Sequence, residues 1–209
     1  MINNSYSQNK EDLAVEKFFD GYIGTLLSIG ENDGLHLSNA LSFIESGWGS
    51  TLVEPAPKAF EQLQERHALN EKVFCMNVAV GNESGEIDFY DSGSHLNNGD
   101  TSLLSTANEK DYNKWKGTTE FTKIKVPMIT FDEMLEASPY KKFDYISLDA
   151  EGFDVDILRQ MNLRELGCKV LCIEHNGDKE VLKEIRRLCE WYSLKNELLI
   201  NGENIILTV

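Results

Sequence analysis

The sequence is poor in basic residues: 20 Lys and Arg stand against 35 Asp and Glu in 209 residues, so the formal net charge is −15. A protein that binds nucleic acid without sequence preference needs a positive surface against the phosphates, and an acidic membrane surface repels a chain of this charge. We therefore expect neither nucleic acid nor a membrane as a partner. The sequence also has no run of about 20 apolar residues, the length that spans a bilayer.

Cysteines are few, and their spacing gives no sign of pairing. They are Cys75, Cys168, Cys172 and Cys189, and no CxxC pair occurs. If the stretch that holds Cys168 and Cys172 is a strand, their Cα atoms lie about 13 Å apart, too far for a disulfide. We expect four reduced thiols. The polar residues 1–5 lack the apolar core of a signal peptide, so we expect a cytoplasmic protein.

The residues that are present suit a folded core, because 41% are hydrophobic and 10% are aromatic. The length predicts a single domain over residues 1–209. Short apolar runs alternate with longer amphipathic segments, which is typical of β-α-β units. The predicted core strands cover residues 25–29, 50–54, 72–80, 143–148 and 169–173. The predicted helices cover residues 9–19, 35–46, 58–68, 130–136, 154–161 and 179–192.

The C-terminal sequence predicts an antiparallel hairpin. Asn201-Gly202 joins the apolar runs 194–200 and 203–209. Both central residues of a tight type I′ turn need positive φ, which Asn and Gly tolerate. A doubly wound sheet that ends in such a hairpin differs from the mostly parallel sheet of the dinucleotide-binding folds.

Residues 91–120 form an unusual insert, rich in Ser, Thr, Asn and Gly. A segment of this length without regular structure usually has a task of its own, so we expect it to be a lid over an acceptor. Predicted strands at 86–90 and 121–127 flank it, the second at a sheet edge because of Pro127. At the other end of the chain, residues 1–24 predict a helical segment with Ser7 as N-cap.

The candidate ligand site follows the first two strands. Gly30-Glu31-Asn32-Asp33-Gly34 ends strand one, and Glu54 ends strand two. Ligands of open α/β sheets bind beyond the carboxyl ends of the strands, where glycine allows close approach and an acid can accept hydrogen bonds from both ribose hydroxyls. The spacing is GxxxG, so the GxGxxG pyrophosphate fingerprint is absent. Each feature alone fits an ordinary turn or a solvated carboxylate; together they predict a nucleoside site.

Several segments together resemble the FkbM family of S-adenosylmethionine-dependent methyltransferases. The resemblance covers residues 5–176, and one position departs from it: Ser28 stands where the family usually has Asp or Glu. The segments that carry it are Ser7-Gln8-x-x-Glu11-Asp12, Leu27-Ser28-Ile29-Gly30-Glu31-Asn32-Asp33-Gly34, Val53-Glu54-Pro55, Asn77-Val78-Ala79-Val80-Gly81, Asp144-Tyr145-Ile146-Ser147-Leu148-Asp149-Ala150-Glu151-Gly152 and Glu174-His175.

The resemblance implies a three-layer, doubly wound Rossmann-like fold whose mostly parallel seven-stranded sheet ends in an antiparallel hairpin. It also implies O-methyl transfer from S-adenosylmethionine, often to a sugar or polyketide hydroxyl. Glu54 would hold the ribose diol, Asn77 and Val78 would lie by the adenine, and Gln8 and Asp12 would cover the cofactor. The cofactor-binding residues implied in this way are Gln8, Asp12, Gly30, Glu31, Asn32, Asp33, Gly34, Glu54, Pro55, Asn77 and Val78.

The candidate catalytic residues are Asp149, Glu151, Glu174 and His175, at the ends of two neighbouring predicted strands. His175 is the natural general base, because its ordinary pKa lies near neutral pH. Glu174 would orient it, or a carboxylate would serve as base if burial raised its pKa. Alternatively, Asp149 and Glu151 only cap the next helix. A divalent metal on Asp149 and Glu174 is conceivable but not favoured.

His95, Ser102 and Trp115 in the insert are the candidate acceptor contacts. Trp115 would stack on a sugar ring, or would only anchor the insert. His36 and His67 are predicted on helices, without a role. The predicted function is O-methylation of a sugar, glycan or small-metabolite hydroxyl. The alternatives are a non-catalytic nucleoside- or S-adenosylmethionine-binding module, which Ser28 keeps open, and a nucleotide-dependent oxidoreductase, which the missing GxGxxG disfavours.

Overall fold

The computed structural model describes residues 4–94, 96 and 98–209. Helices and strands alternate through most of this part of the chain. The strands are β1 (Thr25–Ile29), β2 (Gly49–Val53), β3 (Val73–Met76), β4 (Ala79–Val80), β5 (Gly85–Ser92), β6 (Phe121–Ile129), β7 (Tyr145–Leu148), β8 (Val170–Glu174), β9 (Asn196–Ile200) and β10 (Asn204–Thr208). The helices are α1 (Glu11–Phe19), α2 (Leu41–Glu45), α3 (Pro57–His67), α4 (Glu109–Trp115), α5 (Phe131–Ala137), α6 (Asp154–Gln160) and α7 (Lys179–Glu190). No helix among these combines the length and the apolar composition that crossing a bilayer requires.

A seven-stranded sheet forms the centre, in the order β3-β2-β1-β7-β8-β10-β9. The pairs from β3 to β8 are parallel, whereas β10 is antiparallel to both β8 and β9. Asn201 and Gly202, at φ of 48° and 74°, turn the closing hairpin as predicted. From the adjacent strands β1 and β7, the chain adds β2 and β3 on one side and β8, β10 and β9 on the other. The sheet therefore has its switch point between these two strands.

Helices cover both faces of the sheet, because apolar side chains alternate along the buried strands. Leu27 and Ile146 belong to a core shared with α5, α6 and α7, whereas Leu26 and Tyr145 belong to a core shared with α1, α2 and α3. All four residues are fully buried. The result is the predicted three-layer arrangement. The four cysteines are free, as predicted.

A second, three-stranded sheet, in the order β4-β6-β5, was not expected. The predicted strand 72–80 is split, because the Asn77 amide donates hydrogen bonds to the carbonyls of Glu54 (2.8 Å) and Pro55 (3.1 Å). The chain therefore leaves the main sheet after β3, and β4 pairs with β6 instead. The edge prediction for 121–127 is wrong, since β6 lies between β4 and β5.

The predicted helix 35–46 is wrong in its first half. Leu37 has a φ of 59°, and the Ser38 hydroxyl accepts hydrogen bonds from the N–H groups of Ala40 and Leu41. A side chain that satisfies the backbone in this way competes with a continuous helix. Residues 35–40 are consequently a loop, and only α2 is helical. The Ser7 prediction is also wrong, because the N-cap of α1 is Lys10.

We expect Gly30→Ala to be strongly destabilising. Gly30 has a φ of +84°, and a Cβ there would lie 1.8 Å from the carbonyl oxygen of Asp149. Backbone strain and this overlap together should cost at least about 3 kcal/mol of unfolding free energy, measured by urea denaturation. Gly21 is the matched control: its φ is +79°, but nothing lies within 4 Å of its Cβ position. Gly21→Ala should cost only about 1–2 kcal/mol. Equal losses would contradict the close approach of β1 and β7.

Candidate functional site

A cavity of about 340 Å³ lies at the carboxyl ends of β1, β2, β7 and β8. This is the position that the sheet's switch point favours for a ligand, and the volume suits one small molecule. Side chains from the ends of all four strands line it. The lining residues at the strand ends and in the loops that directly follow them include Ser28, Ile29, Glu31, Asn32, Glu54, Asp149, Glu151, Glu174 and Asn176.

Glu54 is fixed by two backbone groups at the end of β2. Its carboxylate accepts hydrogen bonds from the N–H groups of Asn32 (2.8 Å) and Ala56 (2.7 Å), and the residue is only 5% exposed. Burial raises its pKa to about 8, although both hydrogen bonds oppose that rise. A carboxylate has further acceptor capacity beyond two such bonds. Glu54 can therefore accept hydrogen bonds from a diol in the cavity.

The glycine loop after β1 brings acidic and amide groups to the cavity. The Glu31 carboxylate accepts a hydrogen bond from the Ser38 hydroxyl, and burial raises its pKa to about 7. The side-chain nitrogen of Asn32, Nδ2, donates a hydrogen bond to the carbonyl of Thr101 (3.0 Å). The buried side-chain oxygen, Oδ1, has no hydrogen-bond partner among the described residues. Ser28, the departure from the family pattern, lines the cavity and hydrogen-bonds Glu31. Glu31 therefore supplies the carboxyl group on this strand end.

The structure brings part of the predicted cofactor-binding set to the cavity. The residues that line it are Gln8, Gly30, Glu31, Asn32, Glu54, Pro55 and Val78. Asp12 accepts hydrogen bonds from Ser5 and Ser7 instead, and Asp33 accepts them from the N–H groups of residues 35 and 36. Asn77 bonds the backbone below Glu54, as described above. Gly34 packs on α3. Asp12, Asp33, Gly34 and Asn77 thus hold the surrounding loops in place without lining the cavity.

Asp149, Glu151 and Glu174 share one end of the cavity. Burial, followed by the charge of Asp154, raises the pKa of Asp149 to about 7. Burial and the charge of Asp149 likewise raise the pKa values of Glu151 and Glu174. With a pKa of about 7, the Asp149 carboxyl group can accept a proton near neutral pH, whereas the strongly raised pKa values of Glu151 and Glu174 keep these two groups protonated. Within the described ranges, no group of three or more His, Cys, Asp or Glu is arranged to hold a metal ion.

His175 lies elsewhere: it lines a second cavity, beside α6 and α7. Its Nδ1 accepts a hydrogen bond from the N–H of Gly177 (3.1 Å), and burial lowers its pKa. The ring is therefore neutral at pH 7 with the proton on Nε2, which makes the free side a donor. A general base needs a free lone pair, so this geometry does not fit the predicted role of His175. The predicted pairing with Glu174 is absent from the hydrogen bonds of both residues.

The insert covers one side of the cavity. Residues 102–107 line it, together with Lys114 and Trp115 of α4. Ser102 is buried and donates a hydrogen bond to Asp91 (2.7 Å). Trp115 is half-buried, with the Lys114 ammonium 4.4 Å from its ring centre. His95 lies outside the described residues. The acceptor contacts of Ser102 and Trp115 remain predictions, but both residues are at the cavity.

Several residues that line the cavity were not predicted as site residues, among them His36, Glu11 and Glu203. His36 was predicted on a helix without a role, but it lies in the loop after Gly34, and its Nδ1 is 2.6 Å from an oxygen of Asp33. Glu11 accepts hydrogen bonds from the Asn9 N–H (2.8 Å) and the Asn204 amide (3.0 Å). The position of Glu11 in the Gln8-x-x-Glu11 segment, which carries part of the family resemblance, was the signal that could have identified it.

The comparisons with known proteins identify the family. The family model of the FkbM methyltransferase domain matches residues 28–193. The chain belongs to this family. The predicted resemblance is confirmed, and an S-adenosylmethionine-dependent methyltransferase is the class of enzyme that this membership supports.

Solved structures share the fold at low sequence identity. An FkbM methyltransferase of Methylobacillus flagellatus superposes with a TM-score of 0.52 at 11% identity, over 90% of this chain and 44% of its own. The ribosomal protein L11 methylase of Lactobacillus delbrueckii superposes with a TM-score of 0.51 at 12% identity, over 94% of this chain and 74% of its own. The methyltransferase domain of human METTL16 superposes with a TM-score of 0.52 at 10% identity, over 95% of this chain and 65% of its own. The chain thus spans less than half of the Methylobacillus protein. No curated protein matches the chain in sequence.

The raised pKa values of the buried carboxyl groups predict that the ligand-free protein loses stability as pH rises from about 5 to about 8. In the unfolded chain these groups ionise near 4.5, whereas burial raises the pKa of Glu54 to about 8 and that of Glu31 to about 7. The folded state therefore binds more protons across this window, and its stability falls with increasing pH.

Chemical denaturation at several pH values measures this slope. Glu54→Gln should flatten it, by up to about 1.4 kcal/mol per pH unit below pH 8. Glu61→Gln, at an exposed position of α3, is the control and should keep the wild-type slope. Identical slopes for both variants would show that Glu54 does not hold its proton in the folded state.

Proposed function

We propose that the protein transfers a methyl group from S-adenosylmethionine to a hydroxyl oxygen of a sugar, a glycan or a small metabolite. The observation that carries the proposal is the buried Glu54 beside the Gly30 loop, at the switch point of a methyltransferase-type sheet. Four free cysteines and the acidic net charge support a cytoplasmic enzyme whose acceptor is neither nucleic acid nor lipid surface.

The residues of the cavity fit this cofactor. Glu54 accepts hydrogen bonds from the two ribose hydroxyls, and Val78 and Pro55 offer apolar contact to the adenine. The unpartnered Oδ1 of Asn32 calls for a donor in the cavity. The acidic lining around Glu31 suits a ligand with positive charge. When bound, S-adenosylmethionine supplies an electrophilic methyl group on a sulfonium ion.

The chain's own part in the reaction is to hold the acceptor hydroxyl in line with that methyl group and to take its proton. Glu54 would hold the nucleoside at the end of β2, and three carboxyl groups that could face the reacting hydroxyl lie at the ends of β7 and β8. We assign the proton to Asp149, because its pKa of about 7 is suited to a base at neutral pH. The insert covers this end of the cavity and excludes water.

Cofactor binding is tested by calorimetry with S-adenosylmethionine and S-adenosylhomocysteine. Glu54→Ala should weaken binding about 10- to 100-fold, because hydrogen bonds to a charged group contribute about 1.5–3 kcal/mol. Glu61→Ala should bind as the wild type does. Absence of binding at millimolar ligand, or wild-type affinity in Glu54→Ala, would rule out the proposal.

The base assignment is tested by the release of S-adenosylhomocysteine with a panel of sugar and small hydroxyl acceptors. Asp149→Asn should lower kcat about 10²- to 10⁴-fold while cofactor affinity is retained. The wild-type kcat should rise as pH increases through about 7, since Asp149 must lose its proton to act as base. Full turnover by Asp149→Asn would transfer the role to Glu151 or Glu174. Cofactor binding without turnover on any acceptor would favour the non-catalytic binding module.

A further inference from the structure

A second cavity, of about 430 Å³, adjoins the cofactor cavity. Glu174 and Asn176 line both, so the two spaces meet at the end of β8. The walls of the second cavity come from the N-terminal turns of α4, α6 and α7. The residues that line only this cavity are Asn108, Lys110, Asp111, Gly152, Asp154, Val155, Asp156, Arg159, His175, Asp178, Glu180, Val181 and Glu184.

The volumes show why a methyl acceptor needs this space. The first cavity, at about 340 Å³, is near the lower end of the range of about 300–1,000 Å³ for one small ligand. A nucleoside with an amino-acid tail fills most of it. The reacting hydroxyl must still reach the carboxyl groups at the ends of β7 and β8, and the rest of the acceptor must lie beyond them. The second cavity begins at that point, on the far side of Glu174.

His175 gives an independent sign that a ligand binds there. The residue is 6% exposed and lines the second cavity, and its Nε2 has no hydrogen-bond partner among the described residues. Since Nδ1 accepts from Gly177, Nε2 carries an unpaired proton. Buried donors are normally paired, because an unpaired one costs about 1–3 kcal/mol. A ligand oxygen in this cavity would pair it by displacing the atoms that cover Nε2.

The charges of the second cavity indicate the class of ligand. Seven acidic residues line it, against Lys110 and Arg159. Arg159 is already paired with Asp156 (2.7 Å) and Glu184 (3.1 Å). Carboxylates and the amides of Asn108 and Asn176 accept hydrogen bonds from hydroxyl groups, whereas an anionic ligand would be repelled. The lining therefore suits a polyhydroxylated ligand without phosphate or carboxylate.

We propose that this second cavity is an acceptor subsite that binds a sugar ring next to the ring being methylated. The acceptor is accordingly a non-anionic carbohydrate of at least two units. Its reacting hydroxyl lies at Asp149. The linkage region contacts Glu174 and Asn176, and the neighbouring ring accepts a hydrogen bond from His175. This inference rests on the proposed function, because it takes the first cavity as the cofactor site.

The test uses the full chain saturated with S-adenosylhomocysteine and follows backbone amide signals by NMR. The probes are the neutral disaccharides maltose, cellobiose and lactose, with glucose 6-phosphate as the anionic control. At least one disaccharide should shift the amides of Gly152, Asn176 and Gly177, and glucose 6-phosphate should not.

Two substitutions probe the cavity itself. Val181→Phe narrows it, and Val181→Ala at the same position widens it; we expect disaccharide binding at least tenfold weaker in the first and retained in the second. His175→Phe removes the donor at similar ring size and should also weaken binding. S-adenosylhomocysteine affinity should stay within about twofold of wild type in all three, which shows that each variant is folded.

These outcomes distinguish a failure of the subsite from a failure of the cofactor site. If S-adenosylhomocysteine binds but no neutral disaccharide shifts the three amides, the subsite is overturned and the proposed function stands. Equal disaccharide binding by Val181→Phe and Val181→Ala overturns it as well. Stronger shifts with glucose 6-phosphate than with any disaccharide overturn the ligand class. If the wild type binds no S-adenosylhomocysteine, the proposed function fails, and this inference fails with it.

Discussion

The contact between the ends of β1 and β7 is the constraint on which the site depends. At Gly30 the backbone passes so close to the carbonyl of Asp149 that no side chain fits between them. From this point β2 and β3 follow on one side and β8 on the other, and the loops after β1 and β7 diverge above the sheet. The cavity is the space that this divergence opens. Glu54, the proposed nucleoside-binding group, and Asp149, the candidate base, lie on opposite sides of the same contact.

Burial of carboxyl groups is the second feature of the site. A carboxylate taken out of water is unfavourable unless hydrogen bonds or positive charges compensate. The raised pKa values of Glu31, Glu54 and Asp149 indicate that the surrounding protein groups supply too little compensation. The proposed ligand, with hydroxyl donors and positive charge, would supply the rest, so its binding would be linked to folding stability. The acidic composition noted first in the sequence is in this way partly a property of the binding site.

The sequence was sufficient for the main sheet, because its buried strands are apolar runs of the right length and Asn201-Gly202 specifies the hairpin. It was insufficient where a single side chain redirects the backbone. Asn77 ends one strand because its side chain hydrogen-bonds the backbone that follows β2. Ser38 replaces a helical turn because its side chain hydrogen-bonds the backbone two and three residues further along. Both effects depend on tertiary partners or on competition between local hydrogen bonds, which apolar periodicity does not record.

The site residues follow the same logic. Glu54 and the glycine loop could be predicted, since strand ends and glycine spacing are visible in the sequence. Glu174 and His175 were predicted to act as a pair, but β8 ends at Glu174 and His175 lies in the turn that follows. Glu174 lines both cavities, whereas His175 lines only the second. Asp149 and Glu151 follow the end of β7 and both line the first cavity.

The hydrogen bond between Glu11 and Asn204 joins two parts of the chain that both lie outside the segment matched by the family model. Both residues line the first cavity, the proposed cofactor site. The unit that forms the site is therefore larger than the unit that is recognisably homologous. A domain trimmed to residues 28–193 would keep the glycine loop and Glu54 but would lose one wall of the cavity. Proteins that share the matched segment can differ in this wall, and so in what they bind, without any change in the residues that define the family.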